Sequence, residues 1–146
     1  MSIHQETRLV LCSALAISNS LVVGVNGTTT PLNLQNLTNA IAPNSGLPQT
    51  SPLCYEAIGF EFIWTGTATG NLIVQGGITT NVLTTLIAPT GGSQNTNSVA
   101  LGGGAGSGLL TWDLRVTRIN YVQVLESTIG GGAGTLTCTI SLMYQT

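Results

Sequence analysis

Acid-base or nucleophilic catalysis needs a base poised beside its target, and the chain offers a single histidine, His4, near its N-terminus. Ordering is weakest at chain ends, so no Ser-His-Asp set can be assembled around it. Glu56, Glu61, Asp113 and Glu126 could in principle supply a glycosidase pair, which needs two carboxyl groups flanking one bond. In a β domain such carboxylates more often serve as surface partners of arginines, here Arg115 and Arg118. We therefore expect no catalytic residue and no enzymatic activity.

Cys12, Cys54 and Cys138 make no CxxC spacing, and with His4 alone beside them a zinc set is not expected. Three cysteines cannot all pair within one chain, and without an export signal the expectation is free, buried thiols. The glycine-rich run 102–108 lacks the Gly-Lys-Ser or Gly-Lys-Thr ending of a phosphate loop and leads into a strand, so no nucleotide cofactor is expected. Asn26-Gly27-Thr28 and Asn36-Leu37-Thr38 match the glycosylation sequon, which an Asn/Thr-rich chain produces by chance. Trp64, Trp112, Tyr55, Tyr121 and Tyr144 could stack on sugar rings. The two-residue spacing of apolar neighbours around Trp64 and Trp112 reads instead as core.

Whatever these residues do, β-strands must hold them. Residues 54–65 alternate cleanly, with Ile58, Phe60, Phe62 and Trp64 on one face and Gly59, Glu61, Ile63 and Thr65 on the other. The pattern then turns at 66–70 into 71–76, with Leu72 and Val74 inward, and predicts a hairpin. Leu110, Trp112, Leu114 and Val116 alternate in the same way. Strands over 119–126 and 134–144 follow across Gly130-Gly131-Gly132, the last with Leu136, Cys138, Ile140 and Leu142 inward and Thr135, Thr137, Thr139 and Ser141 outward.

Elsewhere, Leu9, Leu11 and Ser13 are expected on one face of a first strand, followed by a strand at 21–25 ending in the Asn26-Gly27 turn. A short strand passing into a helical turn is expected over 31–41, a surface loop over 42–52, a strand over 78–88 and a long exposed loop over 89–108. The fold class is all-β: a β-sandwich or jelly roll of about eight strands. We divide its single domain at the proline-rich loop, with 1–52 an N-terminal arm and first strands, and 53–146 the main sandwich. The segment 2–11 is expected to be an arm or edge strand that contacts another chain through Ile3, Arg8 and Leu9. Arg115 and Arg118 are the further interface candidates, since arginine is enriched at interface hot spots.

The bulk numbers narrow the function. Only 5% of residues are charged, against about 25% in an ordinary globular protein. The three positive charges, Arg8, Arg115 and Arg118, are too few to displace counterions from phosphates, so nucleic-acid binding is not expected. Disorder is excluded by 42% hydrophobic residues and a net charge of only -2. Arg8 ahead of Ala14-Leu15-Ala16 faintly mimics a leader, but the intervening apolar stretch is roughly five residues and Glu6 opposes the charge, so none is expected. No run approaches the roughly 20 apolar residues of a membrane helix, and a soluble chain is expected. A surface of Thr, Asn, Ser, Gln and Gly repels its neighbours weakly and suits close packing against other copies.

The segments 65–76 (Thr-Gly-Thr-Ala-Thr-Gly-Asn-Leu-Ile-Val-Gln-Gly) and 118–124 (Arg-Ile-Asn-Tyr-Val-Gln-Val), followed by Gly132-Ala133-Gly134-Thr135-Leu136, resemble a pattern of small tailed-bacteriophage virion proteins. The resemblance covers about residues 55–144. It departs from that pattern at Gly76-Gly77-Ile78-Thr79, where many such proteins carry Ser-Asn-Asp-Gly. It implies a sandwich or jelly-roll subunit of the capsid decoration or cement type, mounted in many copies on the capsid exterior and assembled in the host bacterial cytoplasm. The implied partners are the major capsid protein and copies of itself, with no nucleic acid, membrane or cofactor. A tail, connector or fibre component, or a carbohydrate-binding adhesin module, remain the alternatives.

Overall fold

The structure, a computed structural model, describes residues 4–18, 21–34, 55–86, 88–89, 95–96, 98–113 and 119–145. Ile3, Cys54, Leu114, Arg115, Val116 and Arg118, the sequon at Asn36, the loop expected at 42–52 and the helical turn expected at 37–41 lie outside these residues.

Alternating apolar residues make long antiparallel strands, and two sheets bury their apolar sides against each other. The first sheet has four strands in the order β1 (His4–Ala16), β12 (Gly134–Gln145), β4 (Tyr55–Gly66) and β10 (Gly106–Asp113). The second centres on β11 (Tyr121–Ile129) paired with β5 (Thr69–Gly77). Short pieces extend it: β2 (Val22–Val23) and β3 (Leu32–Asn33) on β11, and β6 (Thr84–Thr85) and β9 (Val99–Gly102) on β5. A two-residue pair, β7 (Ala88–Pro89) with β8 (Asn95–Thr96), stands apart. The fold is an all-β sandwich, as expected.

The predicted inward faces fill the core. Ile58, Phe60, Phe62 and Trp64 from β4 meet Leu136, Cys138, Ile140 and Leu142 from β12, and opposite them Leu72 and Val74 from β5 and Val122 and Val124 from β11. Phe60 and Trp112 pack edge to face with centroids 5.8 Å apart, an arrangement favoured by the ring quadrupoles.

The hairpin expected at 66–70 is instead an arch. β4 pairs with β12 and β10 in one sheet while β5 pairs with β11, β6 and β9 in the other, so the chain crosses between layers at 67–68. The link from β11 to β12 crosses likewise at 130–133. The two arches bond to each other: Thr67 N–H to Ala133 O (2.8 Å), Thr69 N–H to Gly131 O (2.9 Å) and Gly131 N–H to Thr69 Oγ1 (2.8 Å). Gly66 (φ 88°) and Gly132 (φ 83°) take the left-handed conformations that the crossings require.

Two other expectations change, and a third is resolved. The segment 78–88 carries only the two-residue β6 before β7, and its Ile78 and Val82 are exposed. The stretch 89–108 is not one exposed loop, because β9 lies within it and buries Leu101, while Leu110 and Trp112 follow inward on β10. Of the two forms expected for the N-terminal segment, the chain takes the edge strand from His4 on, paired with β12 along its length.

Within β1 the register slips by one residue between Val10↔Thr139 and Cys12↔Cys138. A bulge adds one residue and shifts the phase of alternation. Leu11 and Cys12 are consequently both buried, and Ser13, expected beside Leu9 and Leu11, is exposed.

Candidate interaction face

The outward side of the four-stranded sheet is where unpartnered apolar side chains gather. Directly opposed residues on adjacent strands share a face, so the register reads as rows. One row is Glu6, Met143, Ala57 and Asp113. The next is Arg8, Ser141, Gly59 and Thr111, and the third is Val10, Thr139, Glu61 and Leu109. In the row beyond, Thr137, Ile63 and Ser107 stand side by side.

Small residues in the middle rows and larger ones around them leave a hollow of about 300 Å³, bordered by Glu6, Arg8, Glu61, Leu109 and Met143. Gly59 gives it a bare floor: a Cβ there would meet nothing closer than the Thr111 methyl at 3.4 Å. Leu109 is 62% exposed, Val10 53%, Ile63 48% and Met143 42%, unusually open for large apolar side chains on a regular sheet.

The charge on this face is organised around Glu6. Its Oε1 accepts from the Ser141 hydroxyl at 2.6 Å and from Arg8 Nε at 3.0 Å. The Ser141 hydrogen bond first, and then Arg8, hold its carboxyl below the usual range, while Glu6 and, more weakly, Glu61 push Arg8 upward. Both groups are well exposed, so their pairing sets orientation more than stability.

The other sequence candidates are dispersed. Leu9 turns inward and packs against the core, which leaves Arg8 as the expected contact residue found on this face. Glu126, expected on the surface, is 8% exposed on the inward side of β11, following Val122 and Val124 at two-residue steps. Its Oε2 has no hydrogen-bond partner among the described residues. Glu61 is thus outside one sheet and Glu126 inside the other. Glu61 and Asp113 share the outer face, but Asp113 is opposite Ala57, four residues along β4, or roughly 13 Å of backbone. Glycosidase carboxyl pairs stand about 5–9.5 Å apart. Both tryptophans are core: Trp64 donates its indole N–H to Gly104 O at 2.9 Å, and Trp112 is buried with Nε1 unpartnered among the described residues. Tyr121 is half-buried, its hydroxyl accepting from Asn33.

No group of three or more His, Cys, Asp or Glu side chains stands ready for a metal among the described residues. No helix among them is long and apolar enough to cross a membrane.

Among the exposed apolar side chains of this face Ile63 carries a sequence signal, since alternation along 54–65 points it outward. Leu109 and Val10 carry less, because each sits beside a glycine-rich stretch or a bulge that obscures period two.

No protein-family model matches the chain, and no curated protein matches it. Among solved structures it is similar to the crystal structure of the SPBc2 prophage-derived protein YomS, with a TM-score of 0.53 at 10% identity, over 97% of this chain and 95% of that one. At that identity the likeness is one of fold, and it runs nearly end to end in both proteins.

Proposed function

We propose that this chain is a non-enzymatic bacteriophage virion structural protein that binds the capsid shell and stabilises it, as decoration or cement proteins do. The observation that carries the reading is the near end-to-end likeness of fold to a prophage-derived protein, on a sandwich whose outer sheet face carries open apolar side chains beside Glu6, Arg8, Glu61 and Asp113. The phage-protein resemblance of the 65–76, 118–124 and 132–136 segments points the same way.

Mechanically, binding an assembled shell in preference to free subunits stabilises the shell by mass action. An interface of roughly 800 Å² per partner suffices, and capsid symmetry repeats it. Leu109, Met143 and Ile63 supply apolar contacts, with Glu6, Arg8 and Glu61 interspersed among them as polar ones. The partners in this reading are the major capsid protein and neighbouring copies, and the location is the capsid exterior.

Co-sedimentation of the purified protein with undecorated phage capsid shells, alongside light scattering of the protein alone, tests the reading. Saturable binding by a compact species supports it. A monodisperse protein that ignores shells overturns it in favour of a tail, connector or fibre role. A carbohydrate-binding role is disfavoured by the burial of Trp64 and Trp112, which removes the flat aromatic platform it would need.

A further inference from the structure

Cys12 and Cys138 face each other across the β1/β12 ladder. Opposed residues of an antiparallel pair have Cα atoms about 4.5 or 5.5 Å apart and side chains on the same face, and a disulfide spans Cα separations of about 4.4–6.8 Å. Both side chains point into the core, and both cysteines are free. The bulge at Leu11 creates the match. In regular register Leu11 would stand opposite Cys138, and Cys12 would turn to solvent opposite Thr137.

We infer that Cys12 and Cys138 form a reversible cross-strand disulfide that staples the first strand to the last once the protein meets a small-molecule disulfide oxidant. The inference rests on the strand register and is independent of the proposed function. The Cys12 thiolate attacks the oxidant, forming a mixed disulfide and releasing one small thiol. The Cys138 thiolate then attacks the Cys12 sulfur, forming the protein disulfide and releasing the second. Two cysteine thiols are oxidised, one oxidant disulfide is reduced, and the two cysteine protons end on the two released thiols.

Cys12 is the entry point because it is the more exposed of the two and lies on an edge strand held on one side only, between two register slips. Burial pushes both thiols upward, Cys138 further than Cys12, so exchange is slow near neutral pH and faster in base. The thiols stay reduced where the surroundings are reducing and close, slowly, where they are oxidising.

The test uses the Cys54→Ser full chain, incubated with oxidised glutathione at pH 9, then acid-quenched, denatured and assayed for thiols. The expected result is loss of both thiols without dimerisation, with tryptic fragments 9–115 and 119–146 joined until dithiothreitol is added. The melting temperature should rise by about 10 °C on oxidation, a gain absent from the Cys12→Ser, Cys54→Ser double variant. Thiols that stay free, or glutathione adducts on both cysteines with no linked fragments, would overturn the inference.

Discussion

The indole N–H of Trp64 donates to Gly104 O at 2.9 Å, and the same ring lies over Gly106, where an added Cβ would stand 2.6 Å from its Cζ2. The glycine-rich arch between β9 and β10 is thus shaped to the face of a core tryptophan.

From that relationship, Gly106→Ala should destabilise the protein by about 1–3 kcal/mol, because a rigid ring tethered by its N–H cannot yield to the methyl as a flexible side chain would. Gly104→Ala, where a Cβ meets nothing within 4 Å, is the matched control and should leave the melting temperature nearly unchanged. Thermal unfolding of the two variants checks the pair, and equal losses would refute the account.

Glu126 gives a prediction of opposite sign. A buried carboxyl whose Oε2 has no partner among the described residues carries a desolvation cost, and Leu fits the same inward strand position beside Val124. Glu126→Leu should raise stability at neutral pH by about 1–3 kcal/mol in urea titration. A loss of that size would mean that the carboxyl makes a compensating contact in the folded protein, since removing one partner of a buried pair leaves the other uncompensated.

Much of this fold was legible because its strands keep strict period two where they cross the core. Alternation puts Ile58, Phe60, Phe62 and Trp64 inward on one strand and Leu136, Cys138, Ile140 and Leu142 inward on another, and all eight are buried. What alternation cannot give is the layer in which the next strand lies. The turn at 66–70 looks identical whether β5 folds back beside β4 or crosses above it, and only the pairing of β11 with β5 decides. A bulge is invisible for the same reason: Leu11-Cys12-Ser13 reads as ordinary alternation, and the extra residue shows only against β12. The candidate face was half legible. Ile63 and Glu61 were assigned outward, whereas the meeting of Glu6, Arg8 and Ser141 depends on first and last strands becoming neighbours.

Those three residues predict a pH effect. The Ser141 hydroxyl and Arg8 favour ionised Glu6, so its folded-state pKa is lowered and its contribution to stability is present above the ordinary value of 4.5. That contribution is lost as pH falls through the depressed folded value. Ser141→Ala removes the largest cause and should move the Glu6 carboxyl titration, followed by NMR, back toward 4.5, with a shallower acid limb in the stability profile. An unmoved Glu6 titration in Ser141→Ala would show that Arg8 alone sets it.

The outer sheet face yields the prediction most directly tied to function. Leu109 and Met143 are open side chains on opposite borders of a hollow with a glycine floor, so replacing them disturbs little within the chain. Leu109→Asp and Met143→Asp stand directly opposite Glu61 and Glu6, so each should lower stability by no more than about 1 kcal/mol. If this face docks on a capsid shell, each variant also buries an unpaired charge in the contact, and shell affinity should fall at least about tenfold, a cost of about 1.4 kcal/mol. Gly59→Val fills the hollow from below and should weaken docking without placing a charge there, which separates loss of shape from electrostatic repulsion. Ile78→Asp, on the exposed loop of the other sheet, serves as the control. Shell binding that survives all three face variants but is lost with Ile78→Asp would move the contact to the β5–β6 loop, the other exposed apolar patch among the described residues.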